Sequence, residues 1–251
     1  MHTTQTLRTL IIGATIAATL AGCAKKEDTP VAGTPAATAP APTLADATGA
    51  QGVAAAAQAS LPKGDPATPL SSYQKINSGN TIMFLYYGIL NLPTQYDKIA
   101  EAYSAEYRRT SDGFQRKDIL KALQPRIDQE IGRAKANRYV VLEQDGYSLL
   151  SRYDFDKKSF GVNEMSDERY TYFNDNSGYT LGTTNAAAFS TLPIADEAVA
   201  RKIEAHLSKN DKLRMEVYAY AQDADPSSNR VKLEIMKMRL YGPGNELLAE
   251  R

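Results

Sequence analysis

Two stretches near the C-terminus decide the fold: Leu213-Arg-Met-Glu-Val-Tyr-Ala-Tyr-Ala221 and Arg230-Val-Lys-Leu-Glu-Ile-Met-Lys-Met-Arg-Leu-Tyr241. In the first, Leu213, Met215, Val217 and Ala219 alternate with Arg214, Glu216, Tyr218 and Tyr220. That two-residue period belongs to a strand with one face in a core. In the second the apolar phase changes, from Val231, Leu233 and Ile235 to Met236, Met238 and Leu240. Such a change predicts either a bulge near Ile235 or a strand end covered on both faces. A turn at Gly242-Pro-Gly-Asn245 then leads into a short last strand over Glu246 to Ala249.

Upstream, helix signals precede and separate further strands. Ile82 to Leu90 is apolar on every face and too short to span a bilayer, so it reads as a buried helix, with a core strand as the alternative. Thr94 and Asp97 have capping-box spacing, and behind them Tyr96, Ile99, Ala100, Tyr103 and Tyr107 recur at helical intervals. A tyrosine stripe at that spacing is the core face of a helix before it is a ligand platform. A longer helix is predicted over residues 113–137, with Leu120, Leu123, Ile127, Ile131 and Ala134 inward and Pro125 kinking or dividing it. Asp145-Gly146 predicts a tight hairpin between strands over 139–143 and 147–155. Asp156 to Ser159 turns into a strand over 160–162, and short strands at 170–173 and 178–181 flank an Asn-Asp-Asn-Ser-Gly turn. Asp196 caps a helix through Val199, Ile203 and Leu207. The fold class expected is α+β: N-terminal helices plus mostly antiparallel sheet with a C-terminal β-hairpin.

Ahead of this domain the composition is different. Residues 24–72 are rich in Ala, Pro, Thr and Gly, and all 15 Tyr and 6 Phe lie at or after Tyr73. A segment this poor in large apolar groups cannot offset its ordering entropy and is expected to be a disordered linker. Residues 73–251 then form a single domain with no internal repeat.

The chain begins with Arg8 and an uncharged run from Leu10 to Leu20, closed by Leu20-Ala21-Gly22-Cys23. The run is too short to span about 30 Å of hydrocarbon. The four closing residues resemble the lipobox of bacterial lipoprotein precursors. The resemblance implies cleavage before Cys23, a diacylglycerol on its thiol, and a domain divided as signal peptide 1–22, lipidated Cys23 with linker to 72, and domain from 73. It implies a membrane partner through that lipid anchor. Ala24, where Asp would favour retention at the inner membrane, implies the outer membrane with the domain in the periplasm. Beyond Tyr73 the chain resembles uncharacterised lipoprotein domains of Gram-negative bacteria.

Charge and residue usage exclude several functions. The chain has 29 basic and 29 acidic residues, and Arg8 is the only charged residue among the first 22, so its removal leaves a net charge of −1. That balance gives no electrostatic footprint for nucleic acid. Cys23 is the only cysteine and, with His2 in the signal segment, His206 the only remaining histidine. Disulfides and the common zinc sites are thereby excluded from the mature domain. His206 sits in a predicted helix with no nucleophile elbow in the chain, so it reads as a packing residue. No phosphate loop or dinucleotide fingerprint is present, and no cofactor is expected.

Three constellations remain. Arg108 to Arg138 contains nine basic and four acidic residues, and Arg116, Lys117, Lys121, Arg126, Arg133 and Lys135 are candidates for a face toward anionic lipid or lipopolysaccharide, against a solvated helix face paired by its own acids. Asp154 and Asp156 alternate on a strand and are candidates for paired catalytic carboxylates, against a turn at Asp156. Asp223, Asp225, Ser227 and Asn229 superficially suit calcium, against turn chemistry. The function expected is a binding or structural module for an envelope partner: peptidoglycan, lipopolysaccharide or another protein. The alternative is a tethered carboxylate enzyme acting on cell-wall glycans; no catalytic residue is assigned.

Overall fold

The computed structural model describes residues 50–251; the signal segment, Cys23 and the linker as far as residue 49 lie outside the described residues. The fold is α+β. Helix α1 (Ala50–Ala59), a 3-10 turn (Leu70–Ser72) and strand β1 (Gln74–Lys75) come first. Helices α2 (Gly79–Leu90), α3 (Tyr96–Tyr103), α4 (Ala105–Arg109) and α5 (Gly113–Ala136) follow as a group. Strands β2 (Tyr139–Gly146), β3 (Leu150–Asp154), β4 (Ser159–Val162), β5 (Tyr170–Thr171), β6 (Thr180–Thr183) and β7 (Thr191–Pro193) precede α6 (Glu197–Ser208). The chain ends with β8 (Leu213–Asp225), β9 (Arg230–Tyr241) and β10 (Leu247–Glu250).

A seven-stranded sheet runs in the order β1-β2-β8-β9-β6-β5, with β10 also on β9, and a second sheet runs β3-β4-β7. Only β1 with β2 and β6 with β9 pair parallel. The change of phase in the second long strand is a bulge: Tyr218 faces Lys237 and Ala219 faces Ile235, so Met236 is the extra residue. A second extra residue, Gln222, sits on β8 between Ala221 and Asp223. Beyond β8, the edge of β9 is shared, by β6 up to Leu233 and by β10 from Arg239. Between them the Asn185 side chain donates to the Ile235 carbonyl at 2.9 Å and accepts from its N–H at 2.8 Å. One amide thus completes the backbone pairing where no strand fits.

Both buried clusters lie along one face of the β8–β9 ribbon. Ala219, Ala221, Ala224, Val231 and Leu233 face the helices, while Leu213, Met215, Val217, Ile235, Met238 and Leu240 face β4, β7, α6 and β10. Small residues on the first half let α2 lie close to the sheet. This helix is held between the sheet and α5, which is why Ile82, Met83, Phe84, Leu85, Tyr86 and Tyr87 are all buried. Its start is tied down twice: Ser78 accepts from the Asn80 N–H, and Asp175 accepts from the Gly79 N–H at 2.9 Å and the Ser78 hydroxyl at 2.7 Å.

Several local expectations are corrected. The Asp145-Gly146 hairpin does not form: both residues continue β2, opposite Arg214 and Leu213 of β8, and β3 pairs with β4 in the other sheet. The long partner strand extends β2 through the dipeptide, and Lys212 holds Asp145 at 3.2 Å. Thr94 caps nothing; α3 starts after Gln95 without a side-chain cap, and the tyrosine stripe is divided at Ser104, which caps α4. Its core role holds for Ile99, Ala100 and Tyr107, all fully buried. Pro125 leaves α5 a single helix. The end of the expected linker is packed on the domain. Gly64 donates to Glu234 at 3.0 Å, Asp65 donates to the Tyr139 hydroxyl at 2.8 Å, and Pro62 accepts from Gln222 at 2.8 Å. Residues 61–73 therefore form a strap across the outer sheet face, held by backbone polar groups, by the Lys63–Glu234 ion pair and by Tyr73 packed edge-on against Tyr139 and Tyr218.

Candidate functional site

Where the two clusters meet, the layer above the sheet is interrupted. A cavity of about 130 Å³ opens there, floored by Leu142, Leu181, Val217, Ala219, Leu233 and Ile235 and rimmed by Gln144, Asn163, Ser166, Thr171 and Thr183. Its wall is the segment from Asn163 to Arg169, between β4 and β5. Asn163 anchors one end, donating to the Ser148 carbonyl at 2.8 Å and to the Leu149 carbonyl through its own N–H at 2.9 Å. Asp167 anchors the other, accepting from the Thr183 hydroxyl and the Ala186 N–H. Between the anchors Glu164 takes a left-handed backbone (φ 64°) and pairs with Arg169 at 2.9 Å. A side chain other than Gly or Asn in that region costs about 1 kcal/mol, so the two anchors hold the wall against its own preference.

The cavity rim continues onto the outer side of β5. Tyr170 in β5 and Tyr172 just beyond it have ring centroids 6.4 Å apart and planes tilted by 36°. They are 55% and 52% exposed, which is unusual for rings set this close together. The Arg230 guanidinium lies 5.1 Å over the Tyr170 ring. Arg230 faces Thr180 across the parallel β6–β9 pair, and Arg230 Nε and Thr180 Oγ1 are buried without hydrogen-bond partners. Gly182 makes room for this arrangement, since a Cβ there would meet Arg230 Cδ at 2.9 Å. Alternation of Tyr170 and Tyr172 in a strand stretch was a legible sign of neighbouring rings; the approach of Arg230 from 60 residues away was not.

The basic candidates on α5 are not brought together. At about 100° per residue, Lys117, Lys121 and Lys135 flank one side of the buried stripe, and Arg126 and Arg133 flank the other. Arg116 is an internal strut: it pairs with Glu101 and stacks 4.0 Å from the Tyr107 ring centroid. Arg126 lies over Tyr103, Arg133 pairs with Glu130 at 3.2 Å, and Lys135 donates to Asn91 at 2.7 Å.

Asp154 is engaged in a turn, accepting from the N–H groups of Asp156 and Lys157 at 3.0 Å, while Asp156 is exposed. Asp225 likewise accepts from the Ser227 hydroxyl and N–H and the Ser228 hydroxyl, which hold its carboxyl down at about 2. No cluster of three or more His, Cys, Asp or Glu able to hold a metal occurs among the described residues. His206 is half-buried with Nδ1 2.8 Å from Asp211, tying the end of α6 to the start of β8. Cys23, the expected lipidation site, lies outside the described residues. No helix of the described residues is long and apolar enough to cross a membrane.

No protein-family model matches the chain, and no curated protein or solved structure shows significant similarity to it.

Proposed function

We propose that this chain is a lipid-anchored lipoprotein of the Gram-negative cell envelope, attached to the outer membrane through Cys23, whose domain binds an envelope partner. The apolar run ending in Leu20-Ala21-Gly22-Cys23 supports the anchor. Two acyl chains or more would hold such a protein stably, at about 0.8 kcal/mol per buried CH₂.

The observation that carries a binding role is the cavity at the junction of the two clusters. It offers an apolar floor with amide and hydroxyl groups around it, and its principal charges, Glu164 and Arg169, are spent on each other. Such a lining holds and orients a ligand. The partner is peptidoglycan, lipopolysaccharide or another envelope protein.

Growth with an alkyne-bearing palmitate, followed by separation of inner and outer membranes, tests the reading. The wild-type chain should carry the label in the outer-membrane fraction, and Cys23→Ser should lose it. An unlabelled wild-type chain in the soluble fraction would overturn the anchor, and with it the envelope role.

A further inference from the structure

Tyr170 opens an edge strand only two residues long and Tyr172 follows directly after it; both rings are exposed, beside the cavity described above. Neither ring is in a core, and their solvent-facing arrangement has no structural need that smaller polar residues would not meet. The Arg230 guanidinium has no carboxylate partner among the described residues and rests on the Tyr170 ring, as Arg126 rests on Tyr103 and Arg251 on Phe189.

From this geometry we infer that the Tyr170–Tyr172–Arg230 surface is a carbohydrate-binding platform, and that its ligand is the glycan of the cell wall. The inference rests on the envelope reading and names the partner within it. A pyranose ring presents an apolar C–H patch on one face and hydroxyl groups around its edge. Two neighbouring tyrosine rings at a shallow mutual angle receive such patches from sugars of one strand, and the Arg230 guanidinium beside the Tyr170 ring meets the polar edge.

Charge selects this ligand over the alternatives. Arg169 is paired with Glu164 and Lys232 with Asp223 at 2.9 Å, so the surface carries no dense positive field for a phosphate polymer or a phosphorylated lipid headgroup. A peptide adding to the sheet edge would find only two residues of β5 to pair with. A neutral glycan bearing acetamido groups meets neither obstacle.

The test uses the full lipidated chain in detergent micelles, sedimented with purified, protease-treated peptidoglycan sacculi, with soluble cell-wall oligosaccharide as competitor. The wild-type chain should co-sediment and be displaced by the oligosaccharide. Tyr170→Ala and Tyr172→Ala should each weaken binding roughly two- to tenfold, while Tyr170→Phe keeps most of it. Both rings are about half exposed, so the melting temperature of each variant should match the wild type and separates loss of binding from loss of fold.

No binding of a correctly anchored wild-type chain to sacculi overturns the glycan inference and leaves the lipoprotein reading standing. Equal binding by wild type and both alanine variants places the site elsewhere. Binding to lipopolysaccharide vesicles in preference to sacculi, or only to sacculi that still carry protein, assigns a different partner and also overturns it. A chain that fails to reach the membrane fraction overturns the envelope reading instead.

Discussion

Substituting Ala for Gly at two helical positions should have opposite effects on stability. Gly88 lies where α2 crosses α5, and a Cβ there would stand 2.9 Å from the Lys135 nitrogen, 3.2 Å from the Ile131 carbonyl oxygen and 3.3 Å from the Ala134 carbonyl carbon. All three are main-chain atoms of one helix turn, so no side chain can swing aside; the helices must separate in a core that includes Ile82, Ile99 and Ile127. Overpacking of that kind costs about 1–3 kcal/mol, and rigid backbone neighbours put it near the top of the range. The better helix propensity of Ala returns at most about 1 kcal/mol, so Gly88→Ala should destabilise by roughly 2 kcal/mol. Gly132 faces open space on α5, with nothing within 4 Å of an added Cβ. Gly132→Ala should therefore gain about 0.5–1 kcal/mol.

For a domain of about 200 residues these changes lower the melting temperature by about 4–8 °C in the first case and raise it by about 1–4 °C in the second. Urea unfolding followed by tyrosine fluorescence and circular dichroism measures both, with no tryptophan to complicate the signal. The urea slope should stay constant while the midpoint moves. Equal midpoints for the two variants, or a gain at Gly88, would show that α2 and α5 do not approach as closely as described.

The remaining predictions concern the turns, the caps and the strap. Lys158 has a left-handed backbone (φ 49°), so Lys158→Gly should raise the urea midpoint, by roughly 0.5 kcal/mol after the entropy cost of Gly; a lowered midpoint refutes strain there. Burial opposes ionisation of Asp175, but hydrogen bonds from the Gly79 N–H, the Ser78 hydroxyl and the Asn80 N–H outweigh it and hold the carboxyl below its ordinary 3.8. Its folded value being the lower one, its contribution is present above 3.8 and disappears as pH falls through the folded value; Asp175→Asn should flatten that acid loss and cost about 1 kcal/mol at neutral pH, read from urea midpoints across pH. Carbon-detected NMR titration should find the Asp225 carboxyl near 2, and raised in a Ser227→Ala, Ser228→Ala double variant though still below its ordinary value, because the residue-227 N–H and Lys232 continue to favour the carboxylate. A Cβ at Gly64 would meet Tyr220 Cβ at 2.7 Å and Met236 Sδ at 2.9 Å, so Gly64→Ala should loosen the strap and speed amide exchange over residues 63–65 while β8 stays protected.

What could be read from the sequence was what local pattern decides. The alternation of β8, the bulge at Met236, the Asp196 cap of α6 and the all-apolar α2 each have a cause within a few residues of themselves. Asp145-Gly146 misled because its preference for a turn is weaker than eight residues of pairing with β8, a partner some 70 residues downstream. The strap was illegible for a related reason. Gly64 and Asp65 are fixed by their main-chain N–H groups reaching Glu234 and Tyr139, and composition carries no record of such bonds. The cavity has no local signature at all, being the space left between two clusters that cover different lengths of one ribbon.

The shortness of β1 has a bearing on life at a crowded surface. β1 pairs with Val140 and Val141 alone, so the outer edge of β2 from Leu142 to Gly146 has no strand partner among the described residues. Molecules confined to a membrane plane meet their neighbours far more often than molecules in free solution, and an open strand edge there would turn proximity into fibre growth. On the lipid-anchored reading proposed above, that stretch of β2 is where a neighbouring copy would find backbone groups to pair with, and the Lys75–Glu143 ion pair is the charge placed beside it.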